Sequence, residues 1–221
     1  MSISPKLALL EEYALVARAL SAPARLMLLE QLAQGERGVE ALADKTGLTI
    51  ANCSQHLQQL RRAALVTSRR DGKAVIYRLT DAKTLALMDL LRIVAERNLA
   101  QVERILRGLS GGKDAPEAVS RADLAARLAE GSVTVLDVRP ADEYAAGHIP
   151  GALNMALTEI ERIVPTLDPA TEIVAYCRGP YCIYAHQAVA ALRKHGLNAR
   201  RLDGGLPEWR EDGLPLMAGA Q

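Results

Sequence analysis

The chain has 221 residues, of which 49% are hydrophobic and 24% charged, and its formal net charge is +1. This length exceeds the usual single-domain size, so we expect two compact domains of roughly 100 residues each, and the composition excludes wholesale disorder. No apolar run reaches the roughly 18 residues of a membrane span, the N-terminus lacks a signal-peptide pattern, and three cysteines are too few for a disulfide scaffold. We therefore expect a cytoplasmic protein with no membrane partner.

The near-zero net charge hides two halves of opposite sign. Residues 1–108 contain 16 Lys and Arg against 11 Asp and Glu, whereas residues 109–221 contain 11 against 15. A Gly-, Ser- and Pro-rich stretch, residues 108–116, separates them. We expect a basic first domain over residues 1–108, a linker over 109–118 and an acidic second domain over 119–221.

The first half is predicted to be mostly helical. Helix-start and helix-stop residues delimit helices over residues 7–20, 23–33, 39–45 and 50–62. Two β-rich runs follow, residues 66–69 and 74–79, joined by Asp71-Gly72, which is a strong signal for a tight hairpin. One long amphipathic helix over residues 82–106 would close the domain. This order is typical of a winged helix-turn-helix, in which the hairpin is the wing.

The second half alternates helices with short apolar strands. We expect a helix over residues 120–129, strands over 134–138 and 172–176, and a helix over 182–195. Short buried strands that alternate with helices favour an α/β domain with a mainly parallel sheet. The fold class is therefore α+β with two domains.

The predicted helix over residues 50–62 has a polar face suited to reading DNA. Ile50, Cys53, Leu57 and Leu60 recur at helical spacing and define a buried stripe, which turns the amide side chains outward. Amide groups can form paired hydrogen bonds with adenine in the major groove, although a merely solvated polar face has the same pattern. The basic tip of the wing can lie along phosphates or enter a minor groove, which favours the DNA interpretation. The expected DNA contacts are Asn52, Ser54, Gln55, His56, Gln58, Gln59, Arg62, Arg69, Arg70 and Lys73.

Residues 10–106 resemble the ArsR-type winged-helix repressors. The resemblance rests on Leu20-Ser21-Ala22-Pro23-Ala24-Arg25-Leu26, on Ser54-Gln55-His56-Leu57 with Leu60-Arg61, and on Ala64-Leu65-Val66 before the wing. It implies a homodimer, built largely from the first and last helices, that binds double-stranded DNA at an imperfect palindromic operator.

The usual effector sites of such repressors are missing from this sequence. The third predicted helix has no cysteine, and the last helix offers Asp89 and Glu96 but no histidine, whereas soft metals favour sulfur and imidazole ligands. The second and last helices also lack the cysteine pair that thiol-sensing relatives use. Cys53 lies on the apolar stripe and is interpreted as a packed, inert thiol. We expect no metal site and no cofactor.

Residues 119–216 resemble a single-domain rhodanese. The opening signature is Val135-Leu136-Asp137-Val138-Arg139-Pro140, continuing through Glu143-Tyr144 to Gly147-His148-Ile149-Pro150-Gly151-Ala152. The closing signature is Asp203-Gly204-Gly205-Leu206-Pro207-Glu208-Trp209, followed by Gly213-Leu214-Pro215. Asp137, Arg139, Glu143 and His148 are interpreted as scaffold residues that tie strand to loop.

Cys177 is the candidate nucleophile of this second domain. It follows a buried strand and opens a loop that runs into a helix, where backbone N–H groups attract anionic sulfur and should lower the thiol pKa, with Arg178 as a possible helper. The rhodanese resemblance implies a persulfide on this cysteine as the covalent intermediate. The expected loop comprises Cys177, Arg178, Gly179, Pro180, Tyr181, Cys182 and Ile183.

The same loop departs from the pattern of related enzymes. Cys182 stands where sulfurtransferases more often carry Arg or Ser, and Ile183 stands where arsenate reductases and phosphatases of related fold need an oxyanion-clamping Arg. Cys182 either resolves a modified Cys177 as an intramolecular disulfide or sulfur-bridged linkage, or is a small apolar residue at the helix start. The sequence leaves both readings open.

Three functions compete at this point. The favoured hypothesis is a transcriptional regulator whose rhodanese domain senses reactive sulfur, such as persulfide, polysulfide or thiosulfate, through Cys177. The alternative is an active sulfurtransferase tethered to a DNA-binding domain. A repressor that responds to arsenic or another metal through Cys177 and Cys182 ranks last, because two thiols make an incomplete site.

Overall fold

The computed structural model describes residues 4–109, 118–179 and 182–219. They form two compact units, Met1–Met88 and Asp89–Gln221, and the boundary falls inside one helix. The expected linker lies mostly outside the described residues, so the domain boundary at residue 108 stays a prediction. No helix of the described segments is long and apolar enough to cross a membrane.

The first unit is helical with a three-stranded antiparallel sheet. Its elements are α1 (Pro5–Leu20), α2 (Pro23–Ala33), β1 (Arg37–Gly38), α3 (Val39–Thr46), α4 (Ile50–Arg62), β2 (Val66–Asp71) and β3 (Ala74–Leu79). The sheet order is β1-β3-β2. Pro23 begins α2, and Gly47, in the left-handed region with a φ of 67°, ends α3. The core includes Leu28, Leu29, Leu42, Leu57 and Leu60.

The wing is longer than the sequence indicates. Strand β2 runs to Asp71, which pairs with Ala74, so the turn consists of Gly72 and Lys73 rather than Asp71 and Gly72. Gly72 has a φ of 58°, a conformation that a two-residue hairpin turn requires and that glycine adopts without steric cost.

The predicted single helix over residues 82–106 is two helices. Helix α5 (Lys83–Asn98) begins in the first unit and ends in the second, and α6 (Ala100–Leu109) follows after Leu99. The Asn98 side chain donates a hydrogen bond to the Val94 carbonyl at 2.8 Å, a local bond that competes with helix continuation. The expectation of one continuous helix was wrong for this reason.

The second unit contains a four-stranded parallel sheet in the order β5-β4-β6-β7. After α6 its elements are α7 (Arg121–Glu130), β4 (Val133–Asp137), α8 (Ala141–Ala146), β5 (Leu153–Asn154), α9 (Ile160–Ile163), β6 (Glu172–Tyr176), α10 (Ile183–Lys194), β7 (Ala199–Arg201) and α11 (Leu206–Glu211). Separate apolar clusters are built around Ile173 and Leu192 and around Val174 and Trp209. Since β6 lies between β4 and β7, the segment that begins at Cys177 directly after it, called the reactive loop below, leaves from the middle of the sheet. The α+β fold class is confirmed.

Candidate functional site

Helix α4 presents most of the polar side chains that the sequence assigned to DNA. Thr49 caps its first turn by accepting a hydrogen bond from the Asn52 amide, and Cys53, Leu57 and Leu60 face the core. Asn52, Gln55, Gln58 and Arg62 are exposed, while Ser54, His56 and Gln59 are half-buried. Ile50 is 56% exposed, so placing it on the buried stripe was wrong, because it is the first residue of the helix and the stripe begins one turn later.

Gln59 makes an internal contact that the sequence did not indicate. The buried Arg25 guanidinium donates to the Gln59 side-chain oxygen at 2.6 Å and to the carbonyls of Arg18 and Ala19 at 2.6 and 2.5 Å. An arginine within the first, otherwise apolar turns of helix 23–33, before Glu30, was the available signal, since buried charges are found almost only with partners. Gln59 is thereby oriented by the protein interior.

The wing tip carries three cations in different environments. Arg69 pairs with Glu36 at 3.1 Å and with Asp71 at 3.0 Å, whereas Arg70 and Lys73 are exposed on the hairpin. All three thus lie on the wing, and Arg69 is held in ion pairs within the protein. Cys53 is buried at 0% exposure and burial raises the pKa of its thiol, as expected of a packed cysteine.

The reactive loop brings Cys177 and Cys182 together. Cys177 directly follows β6, Cys182 is the N-cap of α10, and their sulfur atoms are joined in a disulfide with the Cα atoms 6.2 Å apart. The side chains are 1% and 7% exposed and belong to the apolar cluster around Ile173. Both sulfurs lie near the N-terminus of a 12-residue helix, where the backbone dipole favours negative charge. Pro180 and Tyr181 lie outside the described residues.

Arg178 is held by a buried carboxylate. Its guanidinium forms an ion pair with Glu143 at 2.9 Å and lies over the Tyr184 ring, with Cζ 5.9 Å from the ring centroid. The predicted help of Arg178 to the Cys177 thiolate therefore has a strong local competitor. Ile183, the first residue of α10, is exposed, and Gly179 has a φ of 153°.

The opening signature is a scaffold below this loop. Asp137 is fully buried and accepts hydrogen bonds from Arg139, with a closest approach of 2.5 Å, and from the Tyr176 hydroxyl at 2.5 Å. Burial and the neighbouring Asp137 raise the pKa of Tyr176, so it stays a donor. His148 stacks on Tyr144, with ring centroids 3.7 Å apart, and its Nδ1 lies 2.9 Å from the Tyr144 carbonyl. These contacts fit the scaffold role expected of Asp137, Arg139 and His148, although the sequence did not indicate the partners.

The closing signature packs directly against the reactive loop. A Cβ on Gly205 would lie 2.6 Å from the Cys177 carbonyl oxygen and collide with the Gly179 backbone, so only glycine fits there. Glu208 accepts a hydrogen bond from the Gly205 amide at 2.8 Å, and burial raises the pKa of its carboxyl group. The sequence analysis gave Glu208 no role, although its position three residues after Gly205 is a capping position.

The described residues contain no group of three or more His, Cys, Asp or Glu side chains arranged to hold a metal ion. The chemistry this region offers is that of two thiols at a helix N-terminus, which can pass between reduced, persulfidated and disulfide forms.

Comparison with known proteins finds a match for each half of the chain. A rhodanese-like domain model matches residues 120–212, and a helix-turn-helix domain model matches residues 20–69. The HTH-type transcriptional regulator Rv0324 of Mycobacterium tuberculosis is 43% identical over 215 residues, which cover 97% of this chain and 94% of the relative.

Two solved structures each match one half. A homodimeric winged helix-turn-helix DNA-binding domain from Mycobacterium bovis, described as a possible ArsR-family regulator, is 39% identical and covers 45% of this chain and 92% of its own, with a TM-score of 0.41. A rhodanese-related protein from Thermoplasma volcanium is 27% identical and covers 46% of this chain and 98% of its own, with a TM-score of 0.42. On its nearly full-length match to the first relative, the chain belongs to the HTH-type transcriptional regulators, with an ArsR-like winged helix-turn-helix followed by a C-terminal rhodanese-like domain.

Proposed function

We propose that this regulator senses reactive sulfur through Cys177 and that formation of the Cys177–Cys182 bond changes its affinity for DNA. The single observation that carries the proposal is the pairing of these two sulfurs at the N-terminus of α10. A first domain over residues 1–108 would bind DNA and dimerise, and a second over residues 119–221 would carry the sensor.

The DNA-binding part of the proposal rests on exposed polar groups. Asn52, Gln55 and Gln58 project from α4 and are suited to base edges in the major groove, while Arg70 and Lys73 are exposed on the wing, where they would contact phosphates. Ser54 and His56 are half-buried and would contact DNA only at the margin of this surface.

A homodimer on an imperfect palindrome is supported by uncovered apolar side chains. On α1, Leu10 and Tyr13 are 49% and 60% exposed, and on α5, Leu90 and Val94 are 59% and 57% exposed. Single exposed apolar residues are ordinary, but repeated ones on α1 and, separately, on α5 indicate apolar faces that a second copy would cover.

The sensing chemistry can be written as two balanced displacements. The Cys177 thiolate attacks a sulfane sulfur of a polysulfide, so that a new S–S bond forms and a shorter polysulfide anion leaves. The Cys182 thiolate then attacks Cys177 Sγ, the Cys177–Cys182 bond forms, and hydrosulfide leaves with the added sulfur. The polysulfide is the oxidant, and the two thiols are oxidised to the disulfide.

Sensing is favoured over sustained sulfur transfer by the surroundings of Cys177. Cys182 is close enough to resolve a persulfide before an external acceptor arrives, and each resolution stops turnover until a reductant restores the thiols. The guanidinium nearest in sequence, Arg178, is paired with Glu143 and is therefore less able to clamp an oxyanion such as thiosulfate.

A DNA-binding titration tests the proposal. The reduced full-length protein selects its operator from random-sequence duplexes, and affinity is then measured before and after polysulfide treatment, with mass spectrometry of the Cys177–Cys182 peptide. We expect an affinity change of about tenfold or more in the wild type, accompanied by loss of two hydrogens from the peptide.

Two variants separate the steps. Cys177→Ser should not respond, whereas Cys182→Ser should retain one added sulfur on Cys177 and form no disulfide. Cys53→Ser is the matched control and should respond like the wild type. Unchanged DNA affinity in polysulfide-treated wild type, or steady thiosulfate-to-cyanide turnover that depends on Cys177, would contradict the sensing role.

A further inference from the structure

A cleft of about 770 Å³ lies within the second unit and is lined by groups that the sulfur chemistry does not use. Its walls come from the second half of α5, from α6, from residues 118–120, from α10 and from the segment that begins at the end of β7. The described lining residues include neither Cys177 nor Cys182. This volume falls in the range of small-molecule sites.

Arg201 is the unusual member of this lining. It is the last residue of β7, at the carboxyl edge of the parallel sheet, where α/β domains commonly bind ligands. Among the described residues the only hydrogen bond of its guanidinium goes to the Leu202 carbonyl at 3.4 Å, and the guanidinium forms no ion pair there. A guanidinium has five N–H donors, so most of those of Arg201 are available to a ligand.

The surroundings of Arg201 destabilise its charged guanidinium, so a nearby anion would be favourable. Burial, reinforced by the positive charge of Arg92, lowers the pKa of Arg201 despite the opposing influence of Asp203 and Glu96. Arg92 itself is fixed by Asp89 at 2.6 Å and Glu96 at 2.9 Å. A partly buried guanidinium with few partners is destabilising unless an anion approaches it.

Other lining groups define which anion would fit. Arg97 is exposed and adds a further cation, while Ile93, Leu106 and Val189 provide apolar wall. Burial and the nearby Arg201 lower the pKa of His186 to about 4, so its imidazole is neutral at physiological pH. A neutral ring costs less to desolvate than a charged one, so it can face the uncharged part of a ligand. The described lining holds four arginines against the three acids Glu96, Glu103 and Asp203, and with its apolar wall it suits a molecule that is partly apolar and carries an anionic group.

We propose that this cleft binds a small organic anion whose carboxylate, phosphate or sulfo group is recognised by Arg201, as an effector site separate from Cys177. The proposal requires no covalent step, and it does not depend on the redox state of the cysteine pair.

Binding is tested on the reduced full-length protein with citrate, inorganic phosphate and sulfate as probes, against potassium chloride at equal ionic strength. We expect citrate to raise the Tm saturably and to shift the His186 Hε1 resonance with the same midpoint. Arg201→Ala should weaken citrate binding by about tenfold or more, because the charge-assisted hydrogen bonds are lost.

The neighbouring arginine provides the matched control. Arg200 pairs with Glu172 at 3.6 Å and does not line the cleft, so Arg200→Ala should bind citrate within about threefold of the wild type. Cys177→Ser should bind citrate normally, which distinguishes this site from the sulfur sensor. If Arg201→Ala does not fold, Arg201→Met, which keeps the alkyl stem, takes its place, and the His186 resonance of the wild type decides independently.

Three outcomes would overturn the proposal. They are the absence of any response beyond that to chloride, a response without a saturable His186 shift, and undiminished citrate binding by the Arg201 variant. A preference for phosphate or sulfate over citrate would keep the site and identify the recognised group as a tetrahedral oxyanion.

Discussion

The two units expose their chemistry to very different degrees. In the first unit the groups assigned to DNA lie on the outside of α4 and the wing, and most contribute nothing to the core. In the second unit Cys177 and Cys182 are buried, and the residues below them form a dense polar network. A large partner such as DNA binds to exposed side chains, whereas burial shields the proposed sulfur sensor from most solutes and thiols. Substitutions of the outward side chains of α4 and the wing should therefore affect DNA binding more than stability, whereas substitutions in the buried polar network should chiefly affect stability.

The largest effect is expected from Asp137→Ala. Removing this buried carboxylate leaves the Tyr176 hydroxyl without its acceptor and Arg139 without its anionic partner, and breaking a buried charge pair costs about 3–5 kcal/mol. Urea unfolding of the full-length protein, followed by the fluorescence of the buried Trp209, measures the loss. Arg162→Ala, which breaks an exposed pair with Glu159, should leave the midpoint almost unchanged. Equal effects of the two variants would refute the contrast.

Gly205→Ala should be the next most damaging change. The added methyl group would overlap the backbone of Gly179 and Cys177, and such overpacking costs about 1–3 kcal/mol. We also expect slower closure of the Cys177–Cys182 bond, measured by thiol trapping after polysulfide addition. Gly147→Ala is the comparison, because a Cβ there meets nothing closer than 3.9 Å. Normal closure kinetics in Gly205→Ala would show that this packing does not position the pair.

Gln55→Ala should separate binding from stability in the first unit. Its side chain is exposed, so loss of a bidentate base contact would weaken operator binding by about 1–2 kcal/mol with little change in Tm. Gln59→Ala should instead lower Tm as well, since Arg25 would lose its partner at 2.6 Å. Fluorescence anisotropy and thermal denaturation test both, with Gln101→Ala on α6 as an exposed control. A drop in Tm for Gln55→Ala would break the proposed division.

The smallest effect concerns pH. The folded-state pKa of His186 is lowered to about 4 by burial and by Arg201, so folding disfavours the charged imidazole. Its contribution to stability is present above the ordinary pKa of about 6.5 and is lost as pH falls toward 4. Because the side chain is partly exposed, we expect His186→Gln to reduce the decline between pH 7 and 5 by about 1 kcal/mol in urea titrations. An identical decline in both proteins would contradict this.

Local sequence patterns predicted the helices and strands whose apolar or β-favouring residues recur over several positions. The apolar period placed Cys53, Leu57 and Leu60 in the core, and β-rich runs placed β6 correctly at residues 172–176. Short elements such as β1 and β5 were missed because two residues carry no periodicity and exist only through pairing with a neighbouring strand. The break at Leu99 depends on one side-chain hydrogen bond, which leaves no trace in the apolar pattern.

The candidate sites were likewise predictable only in part. The cysteine loop and the outward face of α4 could be read from residue type and position, whereas side-chain partners could not. The pairing of Arg178 with Glu143 joins residues 35 positions apart, and that of Arg25 with Gln59 joins residues 34 apart. Such contacts depend on how elements pack, which no local window contains.

The pairing of Arg69 with Glu36 and Asp71 also has a consequence for how salt acts on DNA binding. A cation that neutralises a phosphate releases about 0.9 of a condensed counterion, and this release drives association at low salt. Arg70 and Lys73 can each provide it, but Arg69 would exchange protein carboxylates for phosphate and leave two acids to be hydrated beside the duplex. The wing tip should thus count as two cations rather than three in the ionic-strength dependence of operator affinity.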